Sequence, residues 1–161
     1  MKLYLLAAIL STGVTHVAYA ESLAIGGIEL HLGQKADEAL HALSPYQVQY
    51  LNSGSWLVTQ KTGDLYQVLG VISAKNNVVD FISKTFNMDK NEDAPEVYTR
   101  ASKELRQLGG INCITSETEY TDDLIHGFTT QCGRYKLSYT MPWSQANDKS
   151  IVGGIYITIR R

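Results

Sequence analysis

The sequence predicts an α+β protein made of two helix-plus-antiparallel-meander units, each with one short helix packed on about four strands. Three observations carry this. Apolar residues twice recur at helical spacing and then switch to alternation. Clusters of Asn, Gly and Asp punctuate the alternating stretches at the intervals a meander needs. Two cysteines, Cys113 and Cys132, stand at the ends of a symmetrical hairpin pattern. The units are expected over residues 21–88 and 94–161, as two repeats or as one continuous domain.

Residues 1–20 read as a signal peptide. Lys2 is the one charge before Glu21, the run from Leu3 to Leu10 is apolar, and Ala18-Tyr19-Ala20 supplies small residues at the −3 and −1 positions of a cleavage site. The run is short for a bilayer span, which takes about 20 residues. Cleavage after Ala20 predicts an exported protein, periplasmic or secreted. No Cys follows the cleavage point, so a lipoprotein anchor is not expected.

Ser22 to Leu32 reads as one extended segment. Ala36, Ala39, Leu40 and Leu43 then fall at i, i+3, i+4, i+7 on one helical face, with Asp37 and Glu38 in the first turns and Pro45 ending it. Strands follow near Val48–Leu51, Ser55–Gln60, Tyr66–Ala74 and Val78–Phe86. Asn52-Ser53-Gly54, Thr62-Gly63-Asp64 and Asn76-Asn77 separate them. Asn87 to Ala94 is a polar bridge between the units.

Pro95 opens the second helix with Asp93 as its cap, and Val97, Tyr98, Ala101, Leu105 and Leu108 form its stripe. Gly109-Gly110 end it. Ile111–Tyr120 and Ile125–Cys132 read as a hairpin turning at Asp122-Asp123. That turn sets position 113 opposite 132, so an oxidising compartment predicts a cross-strand disulfide worth roughly 3 kcal/mol by chain-entropy reasoning. Arg134–Met141 alternates through Tyr135, Leu137, Tyr139 and Met141, and its change of phase near Gly133 predicts a bulge or tight bend. Ile151–Ile159 closes the chain.

The charge balance narrows function. Fourteen Lys and Arg against sixteen Asp and Glu give a net charge of −2, and loss of Lys2 makes the exported part more acidic still. Nucleic acid and anionic membrane surfaces are poor partners for such a chain. The sequence has no HExxH, GxSxG, CxxC, GxGxxG or Walker loop. Lys61-Thr62-Gly63 matches one element of the penicillin-binding set, but no Ser-x-x-Lys accompanies it, and it reads as a turn. His31, His41 and His126 match no ligand spacing. Paired acids at Asp122-Asp123, Glu117/Glu119 and Glu92-Asp93 sit in turns or on one strand face, not on opposed walls of a cleft. No catalytic residue, metal ligand or cofactor is assigned.

Aromatic residues stand out. Ten tyrosines and two tryptophans occur, with Tyr4 and Tyr19 in the leader. Tyr135 and Tyr139 share a strand face, Tyr156 is out of phase with Ile155, Ile157 and Ile159, and Trp143 follows Pro142 in a polar loop. Tyr135, Tyr139, Trp143 and Tyr156 are the candidate partner-binding residues, since Tyr and Trp give contact area at small entropic cost. The competing reading is that they fill the core or pack along strands.

Ile28-Glu29-Leu30-His31-Leu32-Gly33, then Ala36 to Leu43, then Trp56 and the strands to Phe86 resemble small bacterial envelope domains. These are the SmpA/OmlA outer-membrane assembly lipoproteins and the tandem-repeat β-lactamase inhibitory proteins. Gly33 fits the family start I-x-x-G-M-[ST]-x-x-[EQ]-V. Gln34 and Lys35 replace its Met-Ser/Thr pair, and the lipobox Cys is absent. The resemblance implies a binding module and transfers no functional residue.

The expectation is therefore an exported, soluble, non-enzymatic protein-binding module, of the kind that includes periplasmic inhibitors and immunity proteins, with a protein partner in the envelope or outside the cell. The alternatives are a small envelope hydrolase using a carboxylate pair or His126, and a carrier of a small apolar ligand.

Overall fold

Eight strands form one antiparallel sheet, and a two-stranded hairpin and two helices lie on one of its faces. The computed structural model describes residues 21–88, 91–119, 125–142 and 154–161. The signal peptide expected over 1–20, the turn expected at Asp122-Asp123 and Trp143 lie outside them.

The chain opens with β1 (Ser22–Ile25) and β2 (Ile28–His31), paired antiparallel with Ile25 opposite Ile28. The expected single extended segment is thus a hairpin. Gly26-Gly27 is the reason: both take positive φ (60° and 86°), which a two-residue turn of this hand requires and side-chain-bearing residues resist. Leu23, Ile25 and Leu30 bury the hairpin's inner face completely.

Helix α1 (Ala36–Ala42) is short and has no side-chain cap. Its N-terminus is tied to the sheet instead. The amide of Ala36 donates to the Asn77 carbonyl (3.0 Å), and Gly33 and Gln34 exchange backbone hydrogen bonds with Val79. A seven-residue helix is marginal by itself. Burial of Ala36, Ala39 and Leu43 holds it.

Strands β3 (Gln47–Tyr50), β4 (Ser55–Thr62), β5 (Leu65–Lys75) and β6 (Val78–Phe86) form the first meander. Asn76 and Asn77 both take positive φ at its last turn, as their turn reading requires. Thr62 pairs with Leu65, which leaves Gly63-Asp64 as the turn after Lys61-Thr62. Two bulges, at Val58/Thr59 and Ser73/Ala74, insert Leu69 and Asp80 into the ladders. Neither breaks the apolar alternation enough to be read in advance. At Gly70 the sheet and the β1–β2 hairpin touch: a Cβ there would stand 2.1 Å from the Ser83 carbonyl oxygen and 2.9 Å from Ile25 Cδ1.

Helix α2 (Ala94–Gly109) starts with a full capping box. The Asp93 carboxylate accepts from the Glu96 amide (2.9 Å), and the Asp93 amide donates to the Glu96 carboxylate (3.3 Å). Val97, Ala101 and Leu105 are buried; Tyr98 and Leu108 pack at the margin. Then come β7 (Cys113–Glu119), β8 (Ile125–Cys132), β9 (Tyr135–Pro142) and β10 (Gly154–Arg160). Cys113 lies directly opposite Cys132 and is disulfide-bonded to it. The change of phase at Gly133 is a tight two-residue turn, with Cys132 paired to Tyr135 and Gly133 at φ 58°.

The strand order is β3-β4-β5-β6-β10-β9-β8-β7. Each meander's last strand meets the other's: β6 pairs with β10, with Ile82 opposite Ile159 and Phe86 opposite Ile155. Val58, Ile72, Ile82, Leu137, Ile155, Ile157 and Ile159 face the hairpin and helices as a continuous core.

Candidate functional site

Strand alternation sends every second residue to the other face, where no described element packs. Cross-strand register places Leu57, Val71, Ser83, Thr158, Lys136 and Gln131 in one row across six strands. A parallel row holds Thr85, Tyr156, Ser138 and Thr129. The middle of this open face is small and hydroxylated. Ser83 and Ser138 are only 9% and 6% exposed, shielded by their neighbours. The hydroxyls of Ser55 and Ser73 bond to each other at 2.8 Å.

A shallow basin of about 520 Å³ lies where β6, β10 and β9 meet, lined by Phe81, Lys136, Ser138, Tyr156, Thr158 and Arg160. The Arg160 guanidinium stands over the Phe81 ring, 5.3 Å from its centroid. At the rim Arg134 pairs with Glu21 (2.7 Å) and donates to the Arg160 carbonyl.

The structure does not gather the three described candidates, Tyr135, Tyr139 and Tyr156, into one site. Tyr156 stands on the open face, half-buried. Tyr135 is a core residue, 8% exposed, whose hydroxyl donates to the Ser22 carbonyl of β1 at 3.0 Å. Burial pushes that hydroxyl above the usual tyrosine value near 10, and the carboxylates of Glu21 and Glu29 act in the same sense. Tyr139 is also on the helix side, with its ring tilted against Tyr98 of α2 at 5.9 Å. Both therefore serve the packing reading, because β9 turns its aromatic face toward α2 and β1. Trp143 lies outside the described residues.

Other candidates stay apart as well. His41 is exposed on α1, and Glu117 is exposed on β7. His126 is in register with Glu119 across the hairpin. Among the described residues no group of three His, Cys, Asp or Glu side chains is placed to hold a metal. No described helix is long and apolar enough to cross a membrane.

Lys136, Arg160, Phe81 and Ser138 were not among the sequence-derived candidates. Alternation signals Lys136 and Ser138, which stand between residues of the helix-side face, whereas Phe81 follows the bulge at Asp80 and Arg160 precedes the exposed Arg161. What alternation does not tell is that β6, β9 and β10 are neighbours. No protein family, no curated protein and no solved structure matches this chain.

Proposed function

We propose that this chain is an exported, soluble, non-enzymatic protein-binding module of the bacterial envelope, of inhibitor or immunity type, that meets its partner with the open face of its sheet. The observation that carries this is the contrast between the two faces. One is sealed by the β1–β2 hairpin, α1 and α2. The other displays Tyr156, Phe81, Lys136 and Arg160 around a hydroxyl floor, with no described layer over it. Aromatic and Arg side chains on a rigid sheet bind at low entropic cost.

The chain is built as two helix-and-meander units, residues 21–88 and 94–161, that share one sheet through β6 and β10. The palindromic strand order supports this, as does the resemblance to tandem-repeat inhibitory proteins. Export through a leader cleaved after Ala20, and life in the periplasm or outside the cell, follow from the signal-like start. The Cys113–Cys132 disulfide agrees with an oxidising compartment.

Photo-cross-linking tests the reading. A photoreactive residue at Tyr156, on the open face, should trap a defined envelope protein in living cells. The same group at Lys103, on the outer side of α2, should trap none. Equal yields from both positions, or none from Tyr156, would remove the proposal.

A further inference from the structure

We infer that the basin between β6, β10 and β9 is an acceptor for carboxylate side chains, and that the partner presents an acidic loop to it. This rests on the protein-binding reading and names the partner's chemistry. Lys136 lies across from Thr158, and Arg160 is two residues further along the same face of β10. That diagonal separates their Cβ atoms by about 7 Å. Neither side chain is salt-bridged to a carboxylate among the described residues, in contrast to Arg134 of the same basin, which pairs with Glu21. Like charges on one sheet face repel, most strongly when directly opposite and less at this diagonal. An incoming carboxylate relieves that repulsion.

The surroundings suit an acid carried on a polypeptide. The guanidinium fork takes a carboxylate through two parallel N–H donors. Thr158 and Ser138 add hydroxyls. Phe81, whose ring lies under the Arg160 guanidinium, and Tyr156 add aromatic surface to the basin, which a bare anion would leave unused. The chain's net charge of −2 separates the occupant classes further. A polyanion or an anionic membrane meets the field of the whole acidic protein. A single loop carboxylate inside the basin feels charges within about 8 Å, the screening length at physiological salt.

Amide NMR of the whole exported chain decides it. The probe is a blocked pentapeptide, Gly-Asp-Tyr-Glu-Gly, beside its amide twin Gly-Asn-Tyr-Gln-Gly, inorganic phosphate and phosphatidylglycerol vesicles. The acidic peptide should shift the Lys136, Ser138, Thr158 and Arg160 amides saturably, and the amide twin should not. Replacing both cations, Lys136→Gln with Arg160→Gln, should weaken the peptide about tenfold. If that variant fails to fold, the acid-against-amide comparison on the unaltered chain decides alone. Equal shifts by the amide twin, a response to phosphate or vesicles but not to the peptide, or no shift at all would each overturn the inference. Cross-linking from Tyr156 keeps the two failures distinct. Cross-linking retained with a silent acidic peptide rejects the carboxylate partner and leaves the binding module standing. Cross-linking lost with the peptide response intact does the opposite.

Discussion

Replacing Tyr135 by Phe removes one hydroxyl and almost nothing else. The ring keeps its volume, so no cavity opens in the core. What is lost is the 3.0 Å hydrogen bond to the Ser22 carbonyl, which ties β9 to β1 across 113 residues of sequence. A buried bond of this kind contributes about 1 kcal/mol net, and its loss lowers Tm by roughly 3 °C in a chain of this size. The pH dependence carries a second signature. Burial raises the Tyr135 pKa in the folded state, with Glu21 and Glu29 adding to it. Above pH 10 the unfolded chain therefore loses this proton before the folded chain does. The hydroxyl's contribution is complete below the usual value near 10 and declines as pH rises through the raised folded value. Urea unfolding of both proteins, with the disulfide intact, should show a gap that is flat from neutrality to about pH 9 and closes above about pH 10. Contributions of distant groups are common to both proteins and cancel in the comparison. A gap that stays constant to about pH 11 would refute the assignment. So would a variant of unchanged stability that no longer cross-links its partner, because Tyr135 would then be a contact residue and not a core one.

Replacing both Cys113 and Cys132 by Ser should cost about 3 kcal/mol, read by urea denaturation. Among the described strands β7 has β8 as its one sheet neighbour, so hydrogen exchange should rise most in β7 and β8. Asp93→Ala removes the cap of α2 and should cost about 1 kcal/mol in the same assay. Gly70→Ala places a Cβ 2.1 Å from the Ser83 carbonyl oxygen. It should destabilise by about 1–3 kcal/mol, with faster amide exchange along β5 and β6; an unchanged midpoint would mean that these strands are further apart.

Most of the elements were legible in the sequence because their signals are local. Asp93 as a cap with Pro95 marks the start of α2, and Asn76-Asn77 marks the last turn of the first meander. Cysteine spacing around a symmetrical hairpin yields the 113–132 pairing. The β1–β2 hairpin has a local signal too, the Gly26-Gly27 pair, which the alternation of Ser22 to Leu32 on both sides of it masks. The bulges at Val58/Thr59 and Ser73/Ala74 escaped because one inserted residue disturbs alternation no more than an exposed apolar side chain does.

The site was legible only in part, and for a different reason. Alternation along β9 and β10 separates Tyr135 and Tyr139 from Lys136 and Ser138, and Ile155, Ile157 and Ile159 from Tyr156. It does not say which set is covered, and aromatic content alone singles out Tyr135 and Tyr139, which lie on the helix side of β9. The sequence by itself determined the α+β class, the order of the elements from α1 onward, the disulfide pairing and most of which residues share each strand face. Tertiary structure decided that β6 and β10 join the meanders into one sheet, that both helices lie on the same side of it, and that Phe81, Lys136 and Arg160 meet in one basin. Periodicity is a property of neighbours along the chain. The meeting of residues 81, 136 and 160 is a property of strand pairing at long separation, set by burial of a common core.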